Sequence, residues 1–337
     1  MKKHITIPVF IPMQACPFQC IFCDQHKISG HWEVPVEAEI NRIISGYLSL
    51  PTPGRASFHA QVGFFGGTFT GLPLTEQEKY LSVVQPFIDQ GKIESIRLST
   101  RPDFIDDEKL GFLKKFRVTT IELGAQSMDD DVLKRSGRGH KSADTKSAAE
   151  KILEYGFRLG LQMMIGLPGD SLEKSLETAR SFVNLGASDV RIYPSVVIKG
   201  TPMETLFRKG KYSPLTLEEA VNWTTHILPI FENSGVNVIR IGLHPSEGLL
   251  SGEDIVAGPF HVSFKELVLT ELWADQLKQF PFNSEKPGLI ISIPKGQINY
   301  AVGYKKKNKL FLEGKFRQVK FREDPNLKNR QFHVDFY

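Results

Sequence analysis

The stretch CPFQCIFC, residues 16–23, contains all three cysteines of a chain of 337 residues. Cys16, Cys20 and Cys23 follow a CxxxCxxC spacing, which brings three thiols onto one short loop. Three thiolates can hold three irons of a cubane 4Fe-4S cluster and leave the fourth iron without a protein ligand. The spacing therefore predicts a cluster whose open iron binds a further molecule.

Two other interpretations start from the same cysteines. A zinc ion usually takes four ligands, and His26 or His31 would supply the fourth beside the three thiols. A lipoprotein signal would place an apolar segment before the cysteines, but Pro8 and Pro12 interrupt that segment, which is short for a signal. We therefore interpret residues 5–13 as a strand. An odd cysteine count without a convincing signal peptide also favours a reducing cytosol over a disulfide framework.

The composition limits the architecture and the location. With 41% hydrophobic and 24% charged residues, the chain is long enough for one large domain and a small one. No apolar run approaches the roughly 20 residues that cross a bilayer, so we expect a cytoplasmic protein without a membrane partner. The net charge is +4, but residues 289–337 hold eleven Lys/Arg against four Asp/Glu, which is +7 and leaves −3 for the rest.

The body of the chain alternates strand-like and helix-like patterns, which is typical of a parallel sheet with helices packed outside it. The predicted strands cover residues 8–13, 61–65, 95–99, 119–123, 159–165 and 189–193. The predicted helices, with apolar residues at three- and four-residue steps, cover 36–47, 77–89, 143–155, 172–185 and 217–231. In barrels of such units, the chemistry gathers at the carboxyl ends of the strands.

The cysteine spacing and its setting resemble the radical S-adenosylmethionine (radical SAM) superfamily. Four further motifs are GGTF at 66–69, TRPD at 100–103, ELGAQS at 122–127 and RGH at 138–140. Together they resemble the branch that contains the Elongator catalytic subunit, which modifies the wobble uridine of tRNA. The resemblance covers roughly residues 5–235, and it implies an α/β fold that is a partial (β/α)6 TIM-like barrel.

The resemblance also implies the cofactors. The open iron would be chelated by the amino and carboxylate groups of S-adenosylmethionine, and an electron donor such as flavodoxin or ferredoxin would reduce the cluster. In the family, the electron cleaves the sulfonium and releases a 5'-deoxyadenosyl radical. Gly66, Gly67 and Thr68 match the loop whose backbone carbonyls hold the amino group, and a residue without Cβ lets the backbone approach a ligand closely.

Five further positions would contact S-adenosylmethionine according to the resemblance. Gln126 matches a ribose-binding glutamine, and Arg138 matches an arginine that grips the methionine carboxylate through two hydrogen bonds. Gln162 falls where relatives often carry an acidic ribose contact, and Phe22 matches an aromatic that packs on the adenine and the cluster. Ser99 departs from the pattern, because relatives often have glutamate there. Polar capping, a solvated charge and core packing are the structural alternatives for these residues.

The resemblance divides the chain into a radical SAM barrel at 1–240, a loop and helix at 241–285, and a small basic α/β domain at 286–337. Too few residues follow the barrel for the acetyltransferase-like domain of the Elongator subunit. The sequence around Lys305, Lys306 and Lys307 loosely resembles the GxxG loop of KH modules, although its second glycine is missing. These lysines would neutralise RNA phosphates, or they form a solvated basic edge.

Three functions from different classes stay open. The first is a radical SAM enzyme that modifies an RNA base, with tRNA as the substrate. The second is a radical SAM oxidoreductase on a small molecule, like oxygen-independent coproporphyrinogen oxidase. That family usually has another cysteine two residues after the third, whereas this chain has Gln25 there. The third is a non-catalytic RNA-binding protein with a structural metal site.

Overall fold

The computed structural model describes residues 4–12, 15–17, 20–50, 59–282 and 285–337. Its strands are β1 (His4–Phe10), β2 (His59–Phe65), β3 (Ser95–Thr100), β4 (Val118–Gln126), β5 (Arg158–Ile165), β6 (Asp189–Pro194), β7 (Val197–Ile198), β8 (Asn237–Ile241), β9 (Ile255–Ala257), β10 (Gly288–Pro294), β11 (Gln318–Asp324) and β12 (His333–Phe336). Its helices are α1 (Gln25–Ser29), α2 (Glu37–Ser49), α3 (Leu74–Asp89), α4 (Asp107–Leu113), α5 (Asp130–Arg135), α6 (Ser142–Glu154), α7 (Leu172–Asn184), α8 (Pro202–Arg208), α9 (Leu217–Asn233), α10 (Glu247–Ser251), α11 (Phe264–Gln279), α12 (Ile298–Val302) and α13 (Lys307–Glu313).

Seven strands form one parallel sheet in the order β1-β2-β3-β4-β5-β6-β8. Neighbouring strands follow one another along the chain and the longer connections contain helices, as parallel strands require. β1 and β8 lie at the two ends of this curled sheet. The prediction of an α/β partial barrel is confirmed.

The sequence predicts six of these strands, and β8 is the strand that it misses. Only Ile241 is buried in β8, and the other four residues are exposed or half-buried. Val238, Ile239 and Ile241 are apolar, so β8 carries a strand signal comparable to that of β6, and the prediction stopped at the six strands of the resembled barrel. Most boundaries differ by a few residues: α2, for example, begins after Val36, and β1 ends at Phe10, three residues before Met13, which lies outside the described residues.

Successive side chains along the strands alternate between the apolar core under the helices and the inside of the curled sheet. Val62 and Phe64 of β2 are buried in the apolar core against the helices, together with Ile96 and Leu98 of β3. The residues between them on the same strands face the inside of the curled sheet, because successive strand side chains point to opposite faces. Many of these inner residues are polar, and they form the walls of the site.

A second core follows the barrel. β10 pairs parallel with β11 and antiparallel with β12. Their apolar residues pack with Trp273 and Leu277 of α11, whereas Phe264 and Val268 of the same helix belong to the barrel core. α11 therefore joins the two cores, and the division at residues 241 and 286 stays a prediction. No helix in the described ranges combines the length and apolar character needed to span a membrane.

Candidate active site

One cavity of about 480 Å³ opens among the carboxyl ends of the barrel strands. All eleven residues predicted for the cluster and S-adenosylmethionine line this cavity. They are Cys16, Cys20, Phe22, Cys23, Gly66, Gly67, Thr68, Ser99, Gln126, Arg138 and Gln162. The structure thus brings together residues that are more than 140 positions apart, from Cys16 to Gln162. Their individual roles as ligands stay predictions.

Each cysteine sulfur has a polar neighbour from a different part of the site. The Sγ of Cys16 lies 3.3 Å from the Thr68 hydroxyl, and the Sγ of Cys23 accepts a hydrogen bond of 3.4 Å from the Gln25 amide. Arg138 Nη1 donates to the Sγ of Cys20 at 3.2 Å. Hydrogen bonds to the sulfurs of an iron-sulfur cluster help to set its reduction potential.

The surroundings of Cys23 disfavour ionisation of its thiol. Burial raises the pKa of Cys23 to about 12, and the neighbouring Cys20 adds to the effect. A bound cation reverses this, because metal binding to a thiol releases its proton. No three Cys, His, Asp or Glu side chains among the described residues are grouped to hold a single metal ion. A cubane cluster does not need that grouping, because each thiolate binds a different iron.

Two polar groups are buried in the cavity wall without a protein partner among the described residues. They are the side-chain oxygen Oε1 of Gln126 and the Nε of Arg138. Buried polar atoms in native proteins nearly always have a partner. The backbone of Gln126 is left-handed, with φ of +68°, and a Cβ on Gly124 would come within 3.2 Å of the Gln126 amide nitrogen. These features fit a polar ligand such as S-adenosylmethionine.

The remaining predicted contacts surround the same space. Gly66 has φ of +99°, which favours glycine at this turn of the loop. Phe22 is buried in a small apolar group with Met164. The amide of Gln162 donates to the Ser99 hydroxyl at 3.2 Å and to Glu122 at 3.1 Å. Ser99, where relatives often have glutamate, is therefore tied to the neighbouring Gln162.

Below the cavity, the inner face of the sheet carries a buried network of charges that the sequence did not predict. Glu122 is 1% exposed and binds Arg97 at 2.7 Å and Arg191 at 2.6 Å. Arg97 also binds Asp189 at 2.8 Å. Burial alone disfavours the charged form of Glu122, but Arg191 and Arg97 hold the pKa of Glu122 down to about 2. The network fixes the position of Arg191 on the cavity wall.

Comparison with known proteins identifies the family. The model of the radical SAM superfamily matches residues 10–182, which is just over half of the chain, and the model of the radical SAM C-terminal domain matches residues 188–274. The chain belongs to the radical SAM superfamily. It is therefore an enzyme of this superfamily, and its cofactors are a 4Fe-4S cluster and S-adenosylmethionine.

The relatives of this radical SAM chain carry different names. An uncharacterised protein of Methanocaldococcus jannaschii is 30% identical over 64% of this chain and 68% of its own length. The tRNA uridine(34) acetyltransferase of Dehalococcoides mccartyi is 26% identical, over 59% of this chain and 50% of its own length. The heme chaperone HemW of Bacillus subtilis is 23% identical, over 73% of this chain and 65% of its own length. The chain therefore spans half to two thirds of these relatives.

Among solved structures, the archaeal Elp3 of Methanocaldococcus infernus with an N-terminal deletion has the same fold. It superposes with a TM-score of 0.65 and 20% sequence identity, over 82% of this chain and 64% of the Elp3 chain. The similarity to the Elongator branch of the radical SAM superfamily, expected from the sequence motifs, is confirmed.

The three lysines predicted to bind RNA lie outside the cavity lining. Lys305, Lys306 and Lys307 are exposed at the start of α13. Lys305 lies 5.6 Å from the centre of the Tyr304 ring, and Lys307 forms an ion pair with Glu271. Lys305 and Lys306 both have left-handed backbone, with φ of +51° and +62°. RNA binding by these residues stays a prediction.

Proposed function

We propose that this radical SAM enzyme generates a 5'-deoxyadenosyl radical and uses it to modify a base of an RNA, with tRNA as the substrate. The observation that supports radical generation most strongly is the common cavity. It is lined by three thiols, by the predicted ligand residues and by two buried polar atoms without protein partners. When bound, the reduced cluster supplies the electron that cleaves S-adenosylmethionine.

The residues of this chain would bind and orient the cofactor. Cys16, Cys20 and Cys23 would hold three irons. Arg138 donates from Nη2 to the Gly124 carbonyl and from Nη1 to the Cys20 sulfur, and its Nε is buried without a described partner. Arg138 would therefore stay fixed against the cluster loop, and its positive charge would attract the methionine carboxylate of the cofactor. The free Oε1 of Gln126 would accept a hydrogen bond from a ribose hydroxyl.

An RNA substrate is supported by two observations. Several relatives carry the name tRNA uridine(34) acetyltransferase, including one of Methanocaldococcus infernus that is 31% identical over 43% of this chain. The C-terminal segment adds exposed lysines, which neutralise phosphates in RNA-binding proteins. A donor such as flavodoxin or ferredoxin would reduce the cluster. The relatives named heme chaperone HemW support the alternative, in which the substrate is a small molecule of the tetrapyrrole class.

The test is an assay for 5'-deoxyadenosine after anaerobic reconstitution of the iron-sulfur cluster, with dithionite as the reductant. We expect 5'-deoxyadenosine to form, and to form faster when bulk tRNA is added. The variant with Cys16, Cys20 and Cys23 all changed to alanine should lose the cluster absorbance and the product together. Product formation in that variant would contradict the cluster mechanism.

The same assay separates the substrate classes. Product that forms at one rate with and without tRNA would support radical generation but contradict the RNA substrate. A rate that rises with coproporphyrinogen and not with tRNA would indicate the small-molecule alternative. No product from a protein with a full cluster would contradict radical generation altogether.

A further inference from the structure

The charges on the cavity wall have one sign. Four arginines line the cavity, Arg101, Arg138, Arg191 and Arg240, and no Asp or Glu of the described residues does. Arg101 is neutralised by Asp103, with which it makes two hydrogen bonds of 3.0 Å and 2.8 Å. Arg138 donates to the Cys20 sulfur and is the residue predicted to bind the methionine carboxylate. Arg191 is bound by Glu122 from below the cavity, which leaves Arg240 as the arginine with neither a carboxylate partner among the described residues nor a predicted cofactor contact.

Arg191 and Arg240 are direct neighbours on adjacent strands. In the parallel pairing of β6 with β8, Arg191 is the register partner of Arg240, and both side chains face the cavity. Like charges placed opposite each other across neighbouring strands repel. Arg191 is compensated by Glu122. Within the described part of the chain, Arg240 makes no ion pair or side-chain hydrogen bond.

The surroundings of Arg240 supply aromatic rings, and they disfavour a second cation beside it. Burial lowers the pKa of His244, and the neighbouring Arg240, His31 and Arg191 lower it further. Phe10 stacks on His31 at 4.9 Å and meets the His244 ring edge-on at 6.0 Å. This end of the cavity therefore combines one guanidinium without a described carboxylate partner, that of Arg240, with an apolar ring surface.

A guanidinium pair of this kind matches anionic oxygens. The Nε and Nη2 of Arg191 are bound to Glu122, which holds the guanidinium in place 5.1 Å from the centre of the Phe65 ring. An anchored arginine beside one without a carboxylate partner can bind a phosphate or carboxylate through charge-assisted hydrogen bonds. A half-buried arginine that lies opposite another arginine and has no described carboxylate partner is a local conflict of the kind that proteins tolerate at functional sites.

We propose that Arg240 and Arg191 form a binding site for an anionic group of the substrate, the phosphate of the nucleotide that enters the cavity. The inference rests on the proposed function for the identity of the anion as a nucleotide phosphate. A carboxylate of a tetrapyrrole would use the same chemistry. The site would place the reacting part of the substrate in the same cavity as the cluster.

The experiment measures binding and not turnover. The reconstituted holoenzyme with S-adenosylmethionine is dialysed to equilibrium against uridine 5'-monophosphate, uridine or coproporphyrin. We compare wild type, Arg240→Gln, Arg240→Lys and the control Arg180→Gln, because Arg180 is an exposed arginine on α7 paired with Glu177. We expect the monophosphate to bind more tightly than uridine, and Arg240→Gln to weaken it at least about tenfold, as for a lost charged hydrogen bond.

The outcomes separate the site from the proposed function. Arg240→Lys should retain part of the binding, and Arg180→Gln should retain all of it. Coproporphyrin binding that depends on Arg240, without monophosphate binding, would support an anion site but contradict the RNA substrate. If Arg240→Gln binds the monophosphate and coproporphyrin as tightly as wild type does, the site is overturned. It is also overturned if wild type binds neither anion.

A second measurement tests for a purely structural role. Arg240→Gln removes a cation that faces Arg191 and has no described carboxylate partner, so its melting temperature should equal or exceed that of wild type. A residue that served only to hold the sheet together would lower the melting temperature when replaced. A lower melting temperature together with unchanged anion binding would therefore assign Arg240 to the fold and overturn the site.

Discussion

At the scale of single residues, Gln126 shows strain at the candidate site. Its φ of +68° is a left-handed conformation that costs a non-glycine residue about 1 kcal/mol. Strain of this kind persists where function selects the side chain. We predict that Gln126→Gly raises the unfolding free energy of the apoprotein by up to about 1 kcal/mol and weakens S-adenosylmethionine binding. Denaturant unfolding and a binding titration measure the two effects.

Arg117 provides the matched control for Gln126. It is exposed, also has left-handed backbone, with φ of +60°, and lies in the turn before β4, away from the cavity lining. Arg117→Gly should stabilise the protein by a similar amount and leave S-adenosylmethionine affinity unchanged. If Gln126→Gly binds the cofactor as tightly as wild type, the Gln126 side chain is not a ligand.

At the scale of the strands, one carboxylate connects three of them. Glu122 of β4 binds Arg97 of β3 and Arg191 of β6 from the inside of the sheet. Removing one partner of a buried ion pair leaves the other charge uncompensated and typically costs about 3–5 kcal/mol. We predict a loss of this size in the unfolding free energy of Glu122→Gln near neutral pH, measured by urea denaturation.

The pH dependence of this loss has a definite sign. The pKa of Glu122 in the folded protein is about 2, against its ordinary value of 4.5, so the carboxylate stabilises the fold above pH 4.5 and the effect disappears as the pH falls towards 2. The difference in unfolding free energy between wild type and Glu122→Gln should therefore shrink as the pH falls from 4.5 towards 2. The exposed pair Glu177–Arg180 is the control: Glu177→Gln should cost less than about 1 kcal/mol. Equal losses at the two sites would contradict the network.

These strands also show which features the sequence could predict. Apolar runs predicted six strands because that signal is local, whereas the cofactor-binding residues were predicted from the cysteine spacing and from the resemblance to the radical SAM superfamily. The network depends on contacts such as Arg97 to Asp189, which lie 92 positions apart, and no local pattern pairs them. Arg240 was missed because the prediction stopped at the six strands of the resembled barrel, although Val238, Ile239 and Ile241 around it are typical of a seventh. The signal that could have found Arg191 is its alternation with buried Val190 and Ile192.

At the scale of the whole molecule, α11 packs against both the barrel core and the C-terminal core. A bidentate ion pair between Arg330 and Glu232, at 2.9 Å and 2.6 Å, adds a second connection from the C-terminal segment to α9. An RNA held by the basic segment would therefore have a fixed relation to the barrel. The left-handed backbone of Lys305 and Lys306 is strain that favours a functional role for this turn.

We predict that changing Lys305, Lys306 and Lys307 to alanine together weakens tRNA binding and reduces its salt dependence. Each lysine on a phosphate contributes about one unit to the slope of log affinity against log salt. Because Lys307 is already paired with Glu271, the slope should fall by about two units and not three. Filter binding of tRNA over a series of salt concentrations measures the slope.

The control is a triple alanine variant of Lys79, Lys92 and Lys115, three exposed lysines of the barrel. It removes the same formal charge, so a slope that falls equally in both variants would indicate only a general loss of positive charge. An unchanged slope in the Lys305 variant would exclude the C-terminal segment as the tRNA-binding surface. The RNA contacts would then have to lie elsewhere, and the Arg240 experiment would test whether the cavity supplies one of them.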